Sequence, residues 1–291
     1  MLPAFLIALS VSAAQQQPYQ RLYVFGDSYS DIGEGYLDGD GPTAVAYLVR
    51  HLALNLLPSN APQIAGQSLD FAVSGARTGE GVGNKIGGAL LGYGMWNQVN
   101  DFGALLKSRK ITFAPRETLF FIAGGLNDSQ LPTETTLANL KGEIKTLYDL
   151  GARHFALALL PEAIPNFSAV GKRLNPALVL IPAQLARELP EAKIRLSQWG
   201  PFFDEVLRNP SRYGIRNTVD ACAGRAIFRQ DTTECQSPGD HFYYHAGHPS
   251  TAVHKIVGEK LYRELLKSPP QSIAGFILGR FHLFRAPAWP C

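Results

Sequence analysis

Apolar residues along the chain fall into two spacings. Short apolar runs occur at Leu22–Phe25 (LYVF), Thr118–Ala123 (TLFFIA) and His154–Leu160 (HFALALL), Ser68–Val73 (SLDFAV) is strand-like, and Lys193–Leu196 reads as a further strand. Between them apolar residues recur every three to four positions. Val45, Leu48, Leu52 and Leu56 do so within Thr43–Leu57, and Leu140, Ile144 and Leu147 within Leu137–Leu150. Val253, Ile256, Val257 and Leu261 line one face of Thr251–Leu266, and Ile181–Glu188 and Gly200–Leu207 also read as helical. A strand that is apolar on both sides needs cover on both faces. Such runs alternating with amphipathic helices predict an α/β fold, a parallel sheet with helices on each side. No internal repeat interrupts the alternation.

In sheets of this kind ligands bind beyond the carboxyl ends of the strands. Three of the predicted strands end in polar, glycine-rich segments: Gly26-Asp27-Ser28-Tyr29-Ser30-Asp31, Ser74-Gly75-Ala76-Arg77-Thr78-Gly79 and Gly124-Gly125-Leu126-Asn127-Asp128. A serine directly after a strand, beside a glycine that permits a tight turn, exposes its hydroxyl where backbone N–H groups gather at a helix start. The same tripeptide also makes an ordinary turn or N-cap. Gly75 offers an N–H to which a substrate oxygen has close access, and Asn127 a side-chain amide; each also fits a plain turn or cap. Before the last helix stands His241-Phe242-Tyr243-Tyr244-His245-Ala246-Gly247-His248-Pro249-Ser250-Thr251. His248 on that loop is a candidate general base for Ser28.

Together these four pieces resemble, in order and context, the blocks of the SGNH hydrolases, the GDSL esterase/lipase family. The likeness runs from about Arg21 to Leu266 and rests on Gly26-Asp27-Ser28, on Gly75 within Phe71-Ala72-Val73-Ser74-Gly75-Ala76, on Gly125-Leu126-Asn127-Asp128 and on His248-Pro249. The residue after the serine, usually leucine, is Tyr29, which reads as a minor change. The resemblance implies a flavodoxin-like three-layer α/β/α sandwich with a central parallel sheet. It implies Ser28 as nucleophile, His248 as base and then acid, and an oxyanion hole made by the Ser28 N–H, the Gly75 N–H and the Asn127 side chain. The reaction it implies is cleavage of carboxylic acyl or acetyl esters through an acyl-enzyme, without metal or organic cofactor. The substrate is then a small-molecule, lipid or acetylated-glycan ester. Transfer of the acyl group to a lipid or sugar hydroxyl is the alternative, and a decayed carbohydrate- or lipid-binding site a further one. One departure matters more: the aspartate usually three residues before the histidine is His245. The third member of the triad is therefore open, with His245 and Asp240 as candidates.

Composition narrows the picture. With 27 Lys+Arg against 24 Asp+Glu the chain has no basic excess to suit a nucleic-acid partner. At 46% hydrophobic residues it has ample material for a core. Residues 1–14, apolar and small, read as a signal peptide ending before Gln15, too short to span a bilayer, and no other segment reads as transmembrane. Export favours a Cys222–Cys235 disulfide, worth ~3 kcal/mol, and leaves Cys291 alone. Residues 21–267 form the expected domain and 268–291, with four prolines and no period, a tail. The glycine-rich stretch Gly79–Asn97 is expected to be a mobile cover over the site. His241, His245, His248 and His254 lie close in sequence, but Pro249 breaks any helix that would align them, so no metal site is expected.

Overall fold

The computed structural model describes residues 17–267. In chain order the elements are β1 (Arg21–Gly26), α1 (Ala44–His51), β2 (Leu56–Pro58), β3 (Ser68–Asp70), β4 (Val82–Ile86), β5 (Ala89–Tyr93), α2 (Met95–Lys107), β6 (Thr118–Ala123) and α3 (Thr133–Asp149). They continue with β7 (His154–Ala158), α4 (Pro165–Leu178), α5 (Ile181–Leu185), β8 (Lys193–Ser197), α6 (Trp199–Arg208), β9 (Asn217–Ala221), β10 (His241–His245), β11 (His248–Pro249) and α7 (Thr251–Lys267). The proposed signal peptide, the tail and Cys291 lie outside the described residues.

Six strands form one parallel sheet in the order β2-β3-β1-β6-β7-β8. Helices cover both faces, with α1 and α6 packed on α7 and with α3 packed on α2 and α4. The expected three-layer α/β sandwich is the fold. All six residues of β6 are buried, as are five of the six in β1, which explains their unbroken apolar sequence. Aromatic rings fill the space between sheet and α2: Phe25 stacks on Phe71 at 5.1 Å, and Phe102 meets Phe120 edge-on at 5.4 Å. Edge-to-face and offset pairs of this kind add ~1 kcal/mol each beyond the area they bury.

The strand order brings the three polar strand ends together. β1 lies between β3 and β6, so the segments after Gly26, Asp70 and Ala123 emerge side by side at one edge. There β1 and β6 come very close: a Cβ on Gly26 would fall 2.6 Å from the Ala123 carbonyl oxygen. The buried Gln98 of α2 finishes the strand, its amide accepting from Gly26 N (3.0 Å) and donating to Gly26 O (2.9 Å).

The structure ends one predicted helix early, turns one predicted loop into strands, and adds elements that the apolar spacing did not announce, among them α2, α4 and a hairpin within the expected cover. The helix predicted over Thr43–Leu57 stops at His51. Ala53 takes a left-handed conformation, the Ala53 N–H reaches Arg50 O and the Leu54 N–H reaches Val49 O. This two-bond closure satisfies the last carbonyls and turns Leu56 into edge strand β2. Gly79–Asn97 is a hairpin, β4 and β5, leading into α2, and it is tied to the second strand end by Gly92 N→Ser74 O (2.7 Å) and Met95 N→Arg77 O (2.9 Å). Finally, the histidine-rich stretch is no loop. β10 and β11 pair antiparallel, with His245 opposite His248, and β9 joins them as a third strand.

Candidate active site

Ser28 follows β1 in a tight turn rather than at a helix N-terminus. The Asp27 carbonyl accepts from Ser30 N (2.9 Å) and Asp31 N (3.0 Å), and the Asp27 carboxylate accepts from Tyr29 N (3.2 Å). Across the site Ser28 Oγ is 2.8 Å from His248 Nε2. Both side chains are largely buried, and burial holds the His248 imidazole near a pKa of about 4, so that it is neutral at physiological pH. A neutral imidazole against a serine hydroxyl is the pair that nucleophilic catalysis needs.

The predicted anion-holding groups lie around the same edge. Gly75 has φ +78°, a conformation that glycine adopts without strain, and Ala76 N→Val73 O (3.0 Å) closes its turn. Among the described residues neither the Ser28 nor the Gly75 N–H has a hydrogen-bond acceptor. Asn127 Nδ2 donates to Ala76 O at 2.9 Å, which links the third strand end to the second and leaves its other N–H available. Buried carboxylates brace these turns from below. Asp31 accepts from Gly33 N (2.8 Å), Gly35 N (3.2 Å) and Ser74 N (2.8 Å). Asp128 accepts from Thr78 Oγ1 (2.6 Å) and Thr136 Oγ1 (2.8 Å). Burial raises the Asp27 pKa to about 7 and that of Asp31 to about 6.

Neither predicted third member bonds to His248. Asp240 turns outward, where its carboxylate pairs with Arg216 at 3.3 Å. His245 Nδ1 donates at 2.7 Å, but to Asp38 Oδ1. Asp38 itself had no sequence signal, since Leu37-Asp38-Gly39-Asp40-Gly41 reads as a turn 210 residues before the histidine. Its Oδ2 lies 3.3 Å from His248 Nε2, and its Oδ1 accepts from Arg225 Nε at 2.8 Å. Arg225 also reaches the other side of the ring, with Nη2 against His248 Nδ1 and 3.0 Å from Ala246 O. It sits in the loop closed by the Cys222–Cys235 disulfide, the pairing expected from the sequence.

Tyr29 is more than a minor change. Its buried ring packs 5.5 Å from the His248 ring and its hydroxyl donates to Gly247 O at 2.7 Å. The remaining histidines take separate partners: His241 faces Ser237 O, and His254 accepts from Ala44 N. The sulfurs nearest His241 are those of the disulfide, so they do not serve as metal ligands.

The description of the GDSL-like lipase/acylhydrolase family matches residues 22–261, which include every block above. The chain belongs to that family. As a GDSL-family protein it is a carboxylic ester hydrolase. It is 25% identical to GDSL esterase/lipase 4 of Arabidopsis thaliana, with 94% of this chain and 93% of that one covered. It is 27% identical to a phosphatidylcholine-sterol acyltransferase of Aeromonas hydrophila, over 75% of this chain and 70% of that one. Among solved structures, an acetylxylan esterase of Geobacillus stearothermophilus superposes with a TM-score of 0.45 at 16% identity, covering 84% of this chain and 94% of the other. No helix among the described residues is long and apolar enough to cross a membrane.

Proposed function

We propose that this GDSL hydrolase cleaves acyl or acetyl esters by a serine mechanism in which Ser28 forms an acyl-enzyme. The reading rests above all on the 2.8 Å contact between Ser28 Oγ and His248 Nε2 at the end of the central strand. His248 takes the hydroxyl proton as Ser28 attacks the ester carbonyl, then hands it to the leaving alcohol. The Ser28 and Gly75 N–H groups and the free N–H of Asn127 receive the oxyanion; one such donor supports ~3 kcal/mol of transition-state stabilisation. Water then releases the acid.

Hydrolysis of p-nitrophenyl acetate, butyrate and a long-chain ester by the parent and Ser28→Ala tests this. Turnover lost in the variant supports it, and unchanged turnover sinks it. The likeness to a phosphatidylcholine-sterol acyltransferase favours a second reading, transfer of the acyl group to a lipid or sugar hydroxyl. Under that reading an added alcohol acceptor diverts product from free acid to new ester.

Export is part of the same proposal. Residues 1–14 act as a signal peptide, which suits a disulfide-bonded domain in an oxidising compartment. Amino-terminal sequencing of protein recovered outside the cytoplasm then begins near Gln15, and an intact Met1 contradicts the proposal.

A further inference from the structure

The serine–histidine pair needs a counter-charge for the imidazolium it forms, and His245 stands where a carboxylate is expected. We propose that Asp38, delivered by the loop between β1 and α1, is the acid of this site, a positioning residue held by His245 and Arg225. The inference rests on the Ser28–His248 reading above.

The geometry is specific. His245 and His248 are direct cross-strand neighbours in the β10–β11 hairpin. The Asp38 carboxylate reaches both rings, with Oδ1 2.7 Å from His245 Nδ1 and Oδ2 3.3 Å from His248 Nε2. Arg225 Nε donates to Oδ1 at 2.8 Å, so one oxygen is clamped and the other is left for His248. The loop itself is anchored beside the histidine. Asp40 Oδ1 accepts from Thr251 N at 2.6 Å, and Thr251 Oγ1 donates to Pro42 O at 3.0 Å. A carboxylate at 245 would repel Asp38; a histidine there binds it. Burial raises the Asp38 pKa, but the His245 hydrogen bond, His248 and Arg225 outweigh it and hold the carboxyl below its usual range.

Five titratable groups face the His248 ring: Asp38, Arg225, His245, His254 and the Tyr29 phenol. A proton on Nδ1 goes to Ala246 O, 3.2 Å away, and leaves the Nε2 lone pair for the Ser28 hydroxyl. Arg225 Nη2 stands against the same Nδ1 but only donates, so in this tautomer its hydrogen bonds go to Ala246 O and, through Nε, to Asp38 Oδ1. As the Ser28 proton moves to Nε2, Asp38 Oδ2, 3.3 Å from that nitrogen, supplies the negative charge that offsets the positive ring while the N–H stays directed at the reacting oxygens. The proton passes on to the leaving alkoxide and Asp38 stays ionised throughout.

The test is kcat, KM and the pH profile of kcat/KM on p-nitrophenyl butyrate for the parent, Asp38→Asn, Asp38→Glu and the double variant Asp38→Asn/His245→Asp. Fluorophosphonate labelling of Ser28 runs beside it. Losing the charge of such an acid costs up to about 10⁴ in turnover in the serine-protease template. Asp38→Asn is therefore expected to lose at least about 10²-fold in kcat with KM little changed. Its acid limb moves to lower pH, because the charge that favours the protonated ring is gone. Asp38→Glu recovers much of the loss. The double variant also recovers activity, since an acid on the cross-strand neighbour is within reach of the ring. An Asp38→Asn rate within about threefold of the parent, with the limb unmoved, overturns the proposal. So does a loss that neither the Glu nor the relocated Asp restores, which marks Asp38 as merely structural. If Asp38→Asn does not fold, the two carboxylate-bearing variants decide on the same terms. A parent that hydrolyses the ester yet takes no label on Ser28 instead removes the serine reading, and the acid's role with it.

Discussion

Tyr29→Phe removes a single hydroxyl from the wall behind His248. That hydroxyl donates to Gly247 O at 2.7 Å, and both groups are buried. The bond contributes about 1 kcal/mol, and stranding the carbonyl without a partner raises the cost to about 2 kcal/mol. For a domain of this size that lowers the melting temperature by about 4–8 °C. Gly247 immediately precedes His248 and has φ +75°, with its inner face against Asn166, so its carbonyl fixes the approach of the chain to the ring. Once released, Nε2 drifts from Ser28 Oγ, and a misplacement of about 1 Å costs up to ~10²-fold in rate. A fall of about 10- to 100-fold in kcat is therefore expected. KM stays close to the parent's, because the fully buried ring does not meet substrate. Initial rates on p-nitrophenyl butyrate and a thermal melt on the same samples measure both. An unchanged kcat with an unchanged melt refutes the reasoning, and a raised KM with unchanged kcat puts Tyr29 in the binding pocket instead.

The other predictions concern protons and the disulfide. Burial, which outweighs the opposing charge of Asp38 and is reinforced by that of Arg225, keeps His248 deprotonated down to a pKa of about 4. kcat/KM is therefore level through pH 6.5 and falls only as the pH drops towards 4; a limb near 6.5 contradicts this. Asp27 is fully buried, its Oδ2 has no hydrogen-bond partner, and burial raises its pKa from 3.8 to about 7. A raised acid contributes stability that is present below about 4 and lost as the pH rises to 7, here up to about 4 kcal/mol. Asp27→Asn should accordingly gain on the parent in denaturant melts between pH 4 and pH 8, whereas a pH-independent difference contradicts the assignment. Replacing Cys222 and Cys235 with serine costs about 3 kcal/mol by the loop-closure argument. It also loosens Arg225, so activity falls together with stability; a variant that keeps both shows the loop to be held by other contacts.

The sequence revealed the parts of the site that lie at strand ends. Unbroken apolar runs located β1, β6 and β7, because a strand covered on both faces has no polar side to blur the signal. The turns after β1, β3 and β6 carried Ser28, Gly75 and Asn127 in the open. What stayed hidden depends on long-range packing. Asp38 and Arg225 reach His248 only because the loop before α1 and the disulfide loop fold against the β10–β11 hairpin, and no spacing announces that. The hairpin itself was obscured by histidines and tyrosines that resemble a polar loop. Gln98 carried no sequence signal, and its part in the site comes only from the amide that meets both backbone groups of Gly26. Leu56 followed the helical period of Val45 and Leu48, but the left-handed Ala53 had already ended the helix, a choice made by backbone closure rather than by apolar spacing.

The central claim is that Ser28 is the nucleophile. Incubation with a fluorophosphonate, followed by peptide mass spectrometry and an ester hydrolysis assay on the same samples, tests it most directly. The predicted result is one adduct, on the peptide containing Ser28, with hydrolysis lost in proportion to labelling and no labelling in Ser28→Ala. An adduct on another serine, or hydrolysis that survives full labelling, would contradict it.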